Sequence, residues 1–520
     1  MIDKLKSPLF LALAIAFIFL SLILSSGLYC DDKFNFYTYK FYSNFSVLIL
    51  VEGILNGIKL WFNTGRFIPI AFILQHVIFA LSKTVFLYKS FNLILHFFSI
   101  LAFIKMLKQF CTPNYIAIWV IVYIAQIKFY IHTQDAFTTF NGMMALLAIF
   151  IFYAVIFYFK FLSTNKPLHL LLSLLMCVSA VLTYEIGFVS FIIILCIALN
   201  KQRLSFFTTK SNYIILSTLL IILISLLSIR AHAEITYSGL RPNYEFDAIV
   251  NTLGNQIVST FPLANFISTH AVFFVLLEQF KDWYIILISI ISLFFLILFI
   301  KQFNKQSESS KPINKDKATS WIVALLLIIV PAFFISISTG YQSAFGSFKP
   351  YIQVYFQNFG LSLIFTLIIG SVYNRYNSKK FLNGMMILFF LMGFASFLLN
   401  ASRIQYYNRT QSNLVAYYFN SLEMGLLKQV KSGETVYVVA DFLDSGSFLE
   451  DQIAKIYNKD IHVVNSSSYN KNMEIDYVYR FNRDSSQANL YKVDTVLSKE
   501  ILVASLKFPL PKINQYTPRW

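Results

Sequence analysis

Two adjacent aspartates, Asp31 and Asp32, follow the first apolar run of the chain in the stretch SGLYCDDKF (26–34). Like charges side by side repel, so one carboxyl holds its proton more tightly than the other, which suits a general acid or base. Read without chemistry, the same pair is a solvated helix end. Further on, WFNTGRF (61–67) offers Trp61 as an aromatic platform and Arg66 as a cation whose planar fork matches a phosphate or pyrophosphate. Arg230, His232 and Arg241 lie in SIRAHAEITYSGLRPNYEF (228–246) and either grip phosphate or face lipid headgroups. Glu185, in LTYEIGF (182–188), either contacts a sugar or pins the turn between two helices. Asp135 in IHTQDAF is a carboxylate within reach of the same region, and His76 is a packing or binding residue in a short apolar stretch. His270 is a weaker candidate of the same kind.

The elements that hold these residues are membrane helices. The chain has 520 residues, 57% of them hydrophobic and only 13% charged, with a mean hydropathy of +0.64. Uncharged apolar runs recur at the length a bilayer core requires. The net charge of +17 does not call for nucleic acid, because excess Lys and Arg in a polytopic protein marks the inner loops. The N-terminal apolar run is too long for a signal peptide and lacks a cleavage site, so it reads as an uncleaved first helix.

Eleven spans are expected, at about 7–27, 88–104, 114–130, 139–160, 167–183, 186–200, 212–229, 283–300, 320–338, 353–372 and 381–400. With the N-terminus inside, the inner loops collect Lys105 and Lys108, Lys160 and Lys166, Lys201 and Arg203, Lys301 to Lys317, and Arg375 to Lys380. That pattern holds only if IPIAFILQHVIFALS (68–82) and THAVFFVLL (269–277) do not cross, which places the first in or on the outer leaflet. Outer segments are then 28–87, 131–138, 230–282 and the tail. The reading divides the chain into a membrane domain, 1–400, and a soluble outer domain, 401–520, of α/β or α+β type. The strand-like runs ETVYVVADF (434–442) and DIHVVNSSSY (460–469) flank a helical-looking FLEDQIAKIYN (448–458).

The non-crossing segment 68–82 roofs the helices behind the aspartates. An acid pair, an arginine and an interfacial groove together suit a lipid-linked phosphate and an acceptor hydroxyl. On these residues the chain resembles the GT-C superfamily of membrane glycosyltransferases: a first span, an outer loop opening with Asp31-Asp32, the W-x3-GR-F of Trp61 to Phe67, and the acidic LTYEIGF turn. The branch it is most similar to is that of the bacterial O-antigen glucosyltransferases, over the N-terminal 200 residues.

The resemblance implies a polyprenyl-phosphate sugar donor, with undecaprenyl phosphate glucose the commonest case. The acceptor is then a surface or lipid-linked glycan such as O-antigen, and the reaction a lipopolysaccharide modification at the bacterial inner membrane. It implies a first-loop aspartate as general base, inversion at the anomeric carbon, and charge neutralisation of the leaving phosphate by Arg66. Trp61, Glu185, Asp135, His76 and His232 are candidate substrate contacts, and Arg66, Arg230 and Arg241 candidate phosphate ligands. No cofactor is expected. The seven histidines form no H-x3-H pair, and a divalent ion on Asp31 or Asp32, used by some GT-C enzymes, is not favoured.

Two other classes compete. A polymerase or ligase of O-antigen type would carry its paired arginines in a late outer loop, where 230–282 has only Arg230 and Arg241. A flippase or transporter would place ionisable groups at mid-span. The polar candidates here gather at one face. The sequon Asn408-Arg409-Thr410 has little meaning in a bacterium.

Overall fold

Ser7 caps the first helix, its Oγ accepting from the Phe10 N–H at 3.2 Å, and Pro8 fills the first turn, where a missing N–H costs nothing. The computed structural model describes residues 7–29, 32, 35–36, 47–130, 135–233, 239, 241–267, 272–307, 314–344, 351–439, 456–465, 474–482, 487–494 and 499–508. Asp31, Cys30, His270 and most of the expected helical stretch 448–458 lie outside them.

In chain order the helices begin with α1 (Pro8–Leu20, extended by a 3-10 turn Ser21–Ser25), α2 (Val47–Asn63), α3 (Pro69–Leu81) and α4 (Val85–Leu107). Then come α5 (Pro113–Ile124), α6 (Met143–Thr164), α7 (Pro167–Thr183), α8 (Phe188–Gln202) and α9 (Lys210–His232). The large outer loop contributes α10 (Phe246–Thr260), α11 (Ala264–Ile267) and α12 (Val272–Gln279). They are followed by α13 (Trp283–Ser307), α14 (Lys317–Ser336), α15 (Thr339–Ala344), α16 (Val354–Tyr376) and α17 (Lys379–Tyr407). A π-helical turn, Asn408–Ser412, leads into α18 (Asn413–Glu423).

Nine helices among the described residues are long and apolar enough to cross a bilayer. Each answers one of the eleven expected spans. The other two are shorter, α5 with 12 residues and α7 with 17. At a rise of about 1.5 Å per residue, α5 is only about 18 Å long. The expected span 114–130 runs past its end because Gln126 and Lys128 are embedded in apolar sequence, yet both are buried.

Irregular backbone at that depth must have its polar groups satisfied by protein. Asn400 of α17 does this: its Oδ1 accepts from the Phe129 N–H and its Nδ2 donates to the Ile127 carbonyl, both at 2.9 Å. Arg403 donates to the Phe129 carbonyl at 3.2 Å and to Asn265 Oδ1 at 2.5 Å. Lys128 donates to the carbonyls of Ser259, Thr260 and Phe261 at 2.8, 2.8 and 2.9 Å, closing the end of α10.

The stretch 68–82 forms α3, whose 13 residues make it too short to cross alone. The stretch 269–277 contributes to α12, eight residues long.

The expected strands are present. The sheet has five strands in the order β2-β1-β3-β4-β5. They are β1 (Thr435–Val439), β2 (His462–Asn465), β3 (Tyr477–Asn482), β4 (Gln487–Asp494) and β5 (Lys499–Lys507). β1 pairs in parallel with β2 and β3, Val436 opposite Val463 and Tyr477, whereas β3–β4–β5 is antiparallel. α18 covers it, burying Val415, Tyr418, Phe419 and Leu422 against Val436, Val438, Tyr479 and Leu490. The same apolar cluster takes in Leu28, Phe36, Ile78, Phe79 and Tyr88, so the sheet unit is packed onto the loop and helix ends behind the aspartates.

Asn400→Ala leaves the Phe129 N–H and the Ile127 carbonyl buried without a partner, at a cost of about 1–3 kcal/mol each. The expected result is a clear fall in Tm in detergent, followed by tryptophan fluorescence, with Asn400→Asp losing less because it keeps the acceptor.

Candidate active site

Asp32 is 2% exposed, close to the outer ends of α1 and α4. Tyr88, in the first turn of α4, donates from Oη to Asp32 Oδ2 at 2.5 Å, and the Asn141 N–H donates to the same Oη at 3.2 Å. The neighbouring residue Lys89 is fully buried, its Nζ donating to the Thr138 carbonyl at 2.5 Å and lying 4.9 Å and 5.4 Å from the ring centroids of Tyr88 and Tyr29. Asp135 closes the group: its Oδ2 accepts from the Thr138 N–H and Oγ1 at 2.9 and 2.8 Å. Burial pushes the Asp135 carboxyl up to about 6, against the pull of those hydrogen bonds.

Sequence reasoning missed Tyr88 and Lys89. A signal was available, since Lys89, Asn92, His96 and Ser99 recur at intervals of three and four along α4 and mark one face of an otherwise apolar span. All four are completely buried, and Tyr355 of α16 meets His96 Nδ1 at 3.0 Å and Ser99 Oγ at 2.5 Å.

A second cluster forms around Arg66. α2 ends in a left-handed turn at Gly65, whose φ of +92° suits glycine. The Gly65 N–H donates to the Phe62 carbonyl at 3.0 Å and the Arg66 N–H to the Trp61 carbonyl at 2.9 Å, a Schellman cap. The W-x3-GR spacing is therefore that of a helix terminus, and it aims Arg66 away from α2. The guanidinium lies 5.3 Å from the Trp61 ring and 4.8 Å from the Tyr184 ring. Its fork is filled by Glu185, Nε to Oε1 at 2.8 Å and Nη2 to Oε2 at 2.6 Å. Burial works against the cation, but the Glu185 carboxylate outweighs it and holds the Arg66 pKa well above its ordinary value.

Arg230, in the last turn of α9, comes within 3.6 Å of Glu185 Oε1 and stays 37% exposed, against 8% for Arg66. Next to it, His232 Nδ1 meets the Ser228 carbonyl at 2.8 Å. His232 lines an open cavity of about 490 Å³ with Phe62, Asn63, Ser228, Ile229 and Ala233.

The structure thus gathers Trp61, Arg66, Glu185 and Arg230 at one place, with His232 beside them, and Asp32 and Asp135 at another. α3 joins the two. Arg66 precedes it, while Phe79 in its last turn stacks on Tyr88 at 5.0 Å. From Pro69 to Phe79 is about 15 Å at 1.5 Å per residue. His76 belongs to neither cluster; it packs beside Phe72 and Gly57, and burial lowers its pKa to about 4, so it is neutral. Arg241 is exposed, on a stretch whose carbonyl accepts from Thr339 N–H and Oγ1 at 2.9 and 3.0 Å. Among the described residues no three His, Cys, Asp or Glu side chains gather as a metal site would require.

No protein-family model matches the chain, and no curated protein matches it. Among solved structures it is similar to the crystal structure of ArnT from Cupriavidus metallidurans bound to undecaprenyl phosphate, at 9% identity and a TM-score of 0.39. The match covers 88% of this chain and 85% of that one. Likeness at this level does not reach individual side chains.

Two outcomes follow from the geometry. Removing Glu185 alone leaves Arg66 buried without its partner, a loss on the order of 3–5 kcal/mol. A double-mutant cycle of Arg66→Ala and Glu185→Ala, read by Tm, should therefore show the double variant losing less than the sum of the singles. Asp135 gives a pH effect. Its folded-state pKa of about 6 lies above its ordinary value of 3.8, so the folded form loses stability as pH rises from about 4 to about 6. Asp135→Asn should flatten Tm against pH in that window by the equivalent of about 3 kcal/mol.

Proposed function

We propose that this chain is a polyprenyl-phosphate-dependent membrane glycosyltransferase that moves a sugar to a hydroxyl acceptor on the outer face, with a first-loop aspartate as general base. The observation that carries the proposal is the Asp32 cluster. A buried carboxylate takes its only printed hydrogen bond from a tyrosine at Oδ2, beside a buried lysine, at the membrane edge and under a folded roof.

In the reaction, the aspartate takes the proton of the acceptor hydroxyl. The acceptor oxygen attacks the anomeric carbon from the side opposite the leaving group. The C–O bond to phosphate breaks, its electron pair leaves with polyprenyl phosphate, and configuration inverts. Tyr88 orients the carboxylate, and Asp31 is the second candidate for the base. Lys89 is the buried cation nearest this point and supplies the charge that a departing phosphate needs in a dry site.

The Arg66 cluster takes a different part. With its fork filled by Glu185, Arg66 builds the wall, while half-exposed Arg230 and His232 face the cavity. That cavity lies beside α9, which presents Leu220, Ile221, Ile224 and Leu227 outward, as a lipid-facing helix does. An amphiphile with an anionic headgroup suits such a place, with Arg241 further along the same outer loop. The 15 Å along α3 separates it from the base, so the headgroup held there is that of a lipid-linked substrate and not the phosphate that leaves.

The positive-inside pattern supports a cytoplasmic N-terminus, with the sheet unit, from about residue 401, on the extracytoplasmic side of a bacterial inner membrane. The resemblance described above makes a hexose, glucose first, the donor sugar to try, and an O-antigen-type surface glycan the first acceptor.

The test is reconstitution in liposomes with polyprenyl-phosphate hexose and candidate glycans, measuring release of polyprenyl phosphate. Loss of the base should lower kcat by about 10²–10⁴-fold in Asp32→Asn or Asp31→Asn. If both variants transfer as well as wild type, the base assignment fails. Should no donor of this class be turned over by wild type, the transferase reading fails with it.

A further inference from the structure

The segment that carries the aspartates is held from the far end of the chain. α17 does not run straight into α18; a π-helical turn, Asn408–Ser412, intervenes, a distortion that recurs at functional sites. Asn408 Oδ1 accepts from the Gly27 N–H at 2.7 Å and from Tyr29 Oη at 2.5 Å, while its Nδ2 donates to the Ser25 carbonyl at 2.9 Å. Ser412 Oγ accepts from the Leu28 N–H at 2.9 Å. Four bonds from two side chains thus satisfy the backbone of Ser25–Leu28 and fix the Tyr29 hydroxyl. Tyr29 is in turn tied to the base, since the Asp32 N–H donates to its carbonyl at 3.1 Å.

Gly27 makes the approach possible. A Cβ at that position would lie 2.2 Å from Ser412 Oγ, 2.4 Å from Ser412 Cβ and 2.6 Å from Asn408 Oδ1. Ser412 Cβ belongs to the backbone-proximal part of the turn, so a side chain at 27 cannot be absorbed by a rotamer change alone. On its other side the turn leads directly into α18, whose Val415, Tyr418, Phe419 and Leu422 belong to the core of the sheet unit. Leu28 and Tyr88 belong to that same core. The path from sheet unit to base is therefore continuous: sheet, α18, π-turn, Gly27–Tyr29, Asp32.

We propose that Asn408 and Ser412 form a positioning clamp through which the C-terminal sheet unit sets the geometry of the aspartate segment. The inference rests on the reading of a first-loop aspartate as the base. Its physical ground is that a base must be held to within a fraction of an ångström, and a displacement of about 1 Å can cost on the order of 10²-fold in rate. The segment after α1 makes no helix of its own until α2, so its precision must come from elsewhere. The sequon-like Asn408-Arg409-Thr410 is then a structural feature, its asparagine amide spent on the backbone of residues 25–27.

The experiment uses the full chain and two independent readouts. Amide hydrogen exchange of the peptide covering 25–32 reports the clamp directly, whatever the activity. Asn408→Leu removes three bonds, Ser412→Ala removes one, and Gly27→Ala drives the two segments apart. Each should speed exchange at Gly27 and Leu28, in the order Ser412→Ala below the other two. Asn408→Asp keeps the acceptor oxygen and should stay close to wild type. In the transfer assay, Asn408→Leu and Gly27→Ala should lower kcat about 10- to 100-fold while the donor KM stays within about twofold, because the headgroup cavity is remote from the clamp.

Unchanged exchange in Asn408→Leu overturns the clamp. Faster exchange with unchanged kcat overturns the positioning role. A fall in kcat that Asn408→Asp shares in full, with exchange still slow, overturns it as well. If wild type shows no transfer, the underlying function fails, and the exchange result still decides whether the clamp exists.

Discussion

The outer face of this protein depends on the last two turns of α17 and the π-turn that follows. Away from its helices the chain must present peptide groups at or near membrane depth, where each unsatisfied group costs several kcal/mol. Asn400 and Arg403 satisfy 127–129, Arg403 also reaches Asn265 in the large outer loop, and Asn408 with Ser412 satisfies 25–28. One helix end thus ties together the aspartate segment, the irregular stretch beyond α5 and the loop after α9. Lys128, itself buried on that stretch, extends the chain of support to the end of α10.

The two charged clusters solve the same desolvation problem differently. Arg66 and Glu185 form a closed bidentate pair between two aromatic rings, with little capacity left for a ligand; this arrangement fixes geometry. Asp32 and Lys89 are not paired with each other in that way. The carboxylate is held by a neutral tyrosine and the ammonium by a carbonyl and two ring faces. A carboxylate that has not spent its charge on a cation keeps its capacity as a base, and an ammonium held by neutral partners keeps its charge for an incoming anion. Reactivity belongs to the second arrangement, rigidity to the first.

How much of this could be read in the sequence varies with the range of the interaction. Membrane helices are local, and nine of the expected spans recur as long helices because about twenty apolar residues leave no other solution. The W-x3-GR motif is also local, since its spacing is that of a helix cap. Two features failed for physical reasons. Lys128 was read through as part of a span because apolar periodicity does not reveal that a helix stops at Ile124 and that its neighbours are then capped by α17. Lys89 was passed over because a lysine near the start of a span looks like an interfacial anchor; only the stripe it shares with Asn92, His96 and Ser99 distinguishes a buried face from a snorkelling side chain. Partners 119 and 381 residues apart, Arg66 with Glu185 and Gly27 with Asn408, leave no trace in a single sequence.

The boundary drawn at residue 400 from composition marks where apolar sequence gives way to mixed sequence, and it falls inside a continuous helix, α17. Composition reports which solvent a segment meets, not which segments act together. Here the change of solvent and the mechanical joint are separated by about two turns of helix. The residues between them, Asn400, Arg403 and Asn408, are polar because they serve irregular backbone at the edge of the bilayer. A reader of hydropathy sees them as the start of a soluble tail, whereas their bonds assign them to the membrane unit. The sheet that follows is consequently anchored at both its helix and its apolar core to the segment bearing the aspartates, and any ligand that shifts α18 must also load the bonds to Gly27 and Leu28.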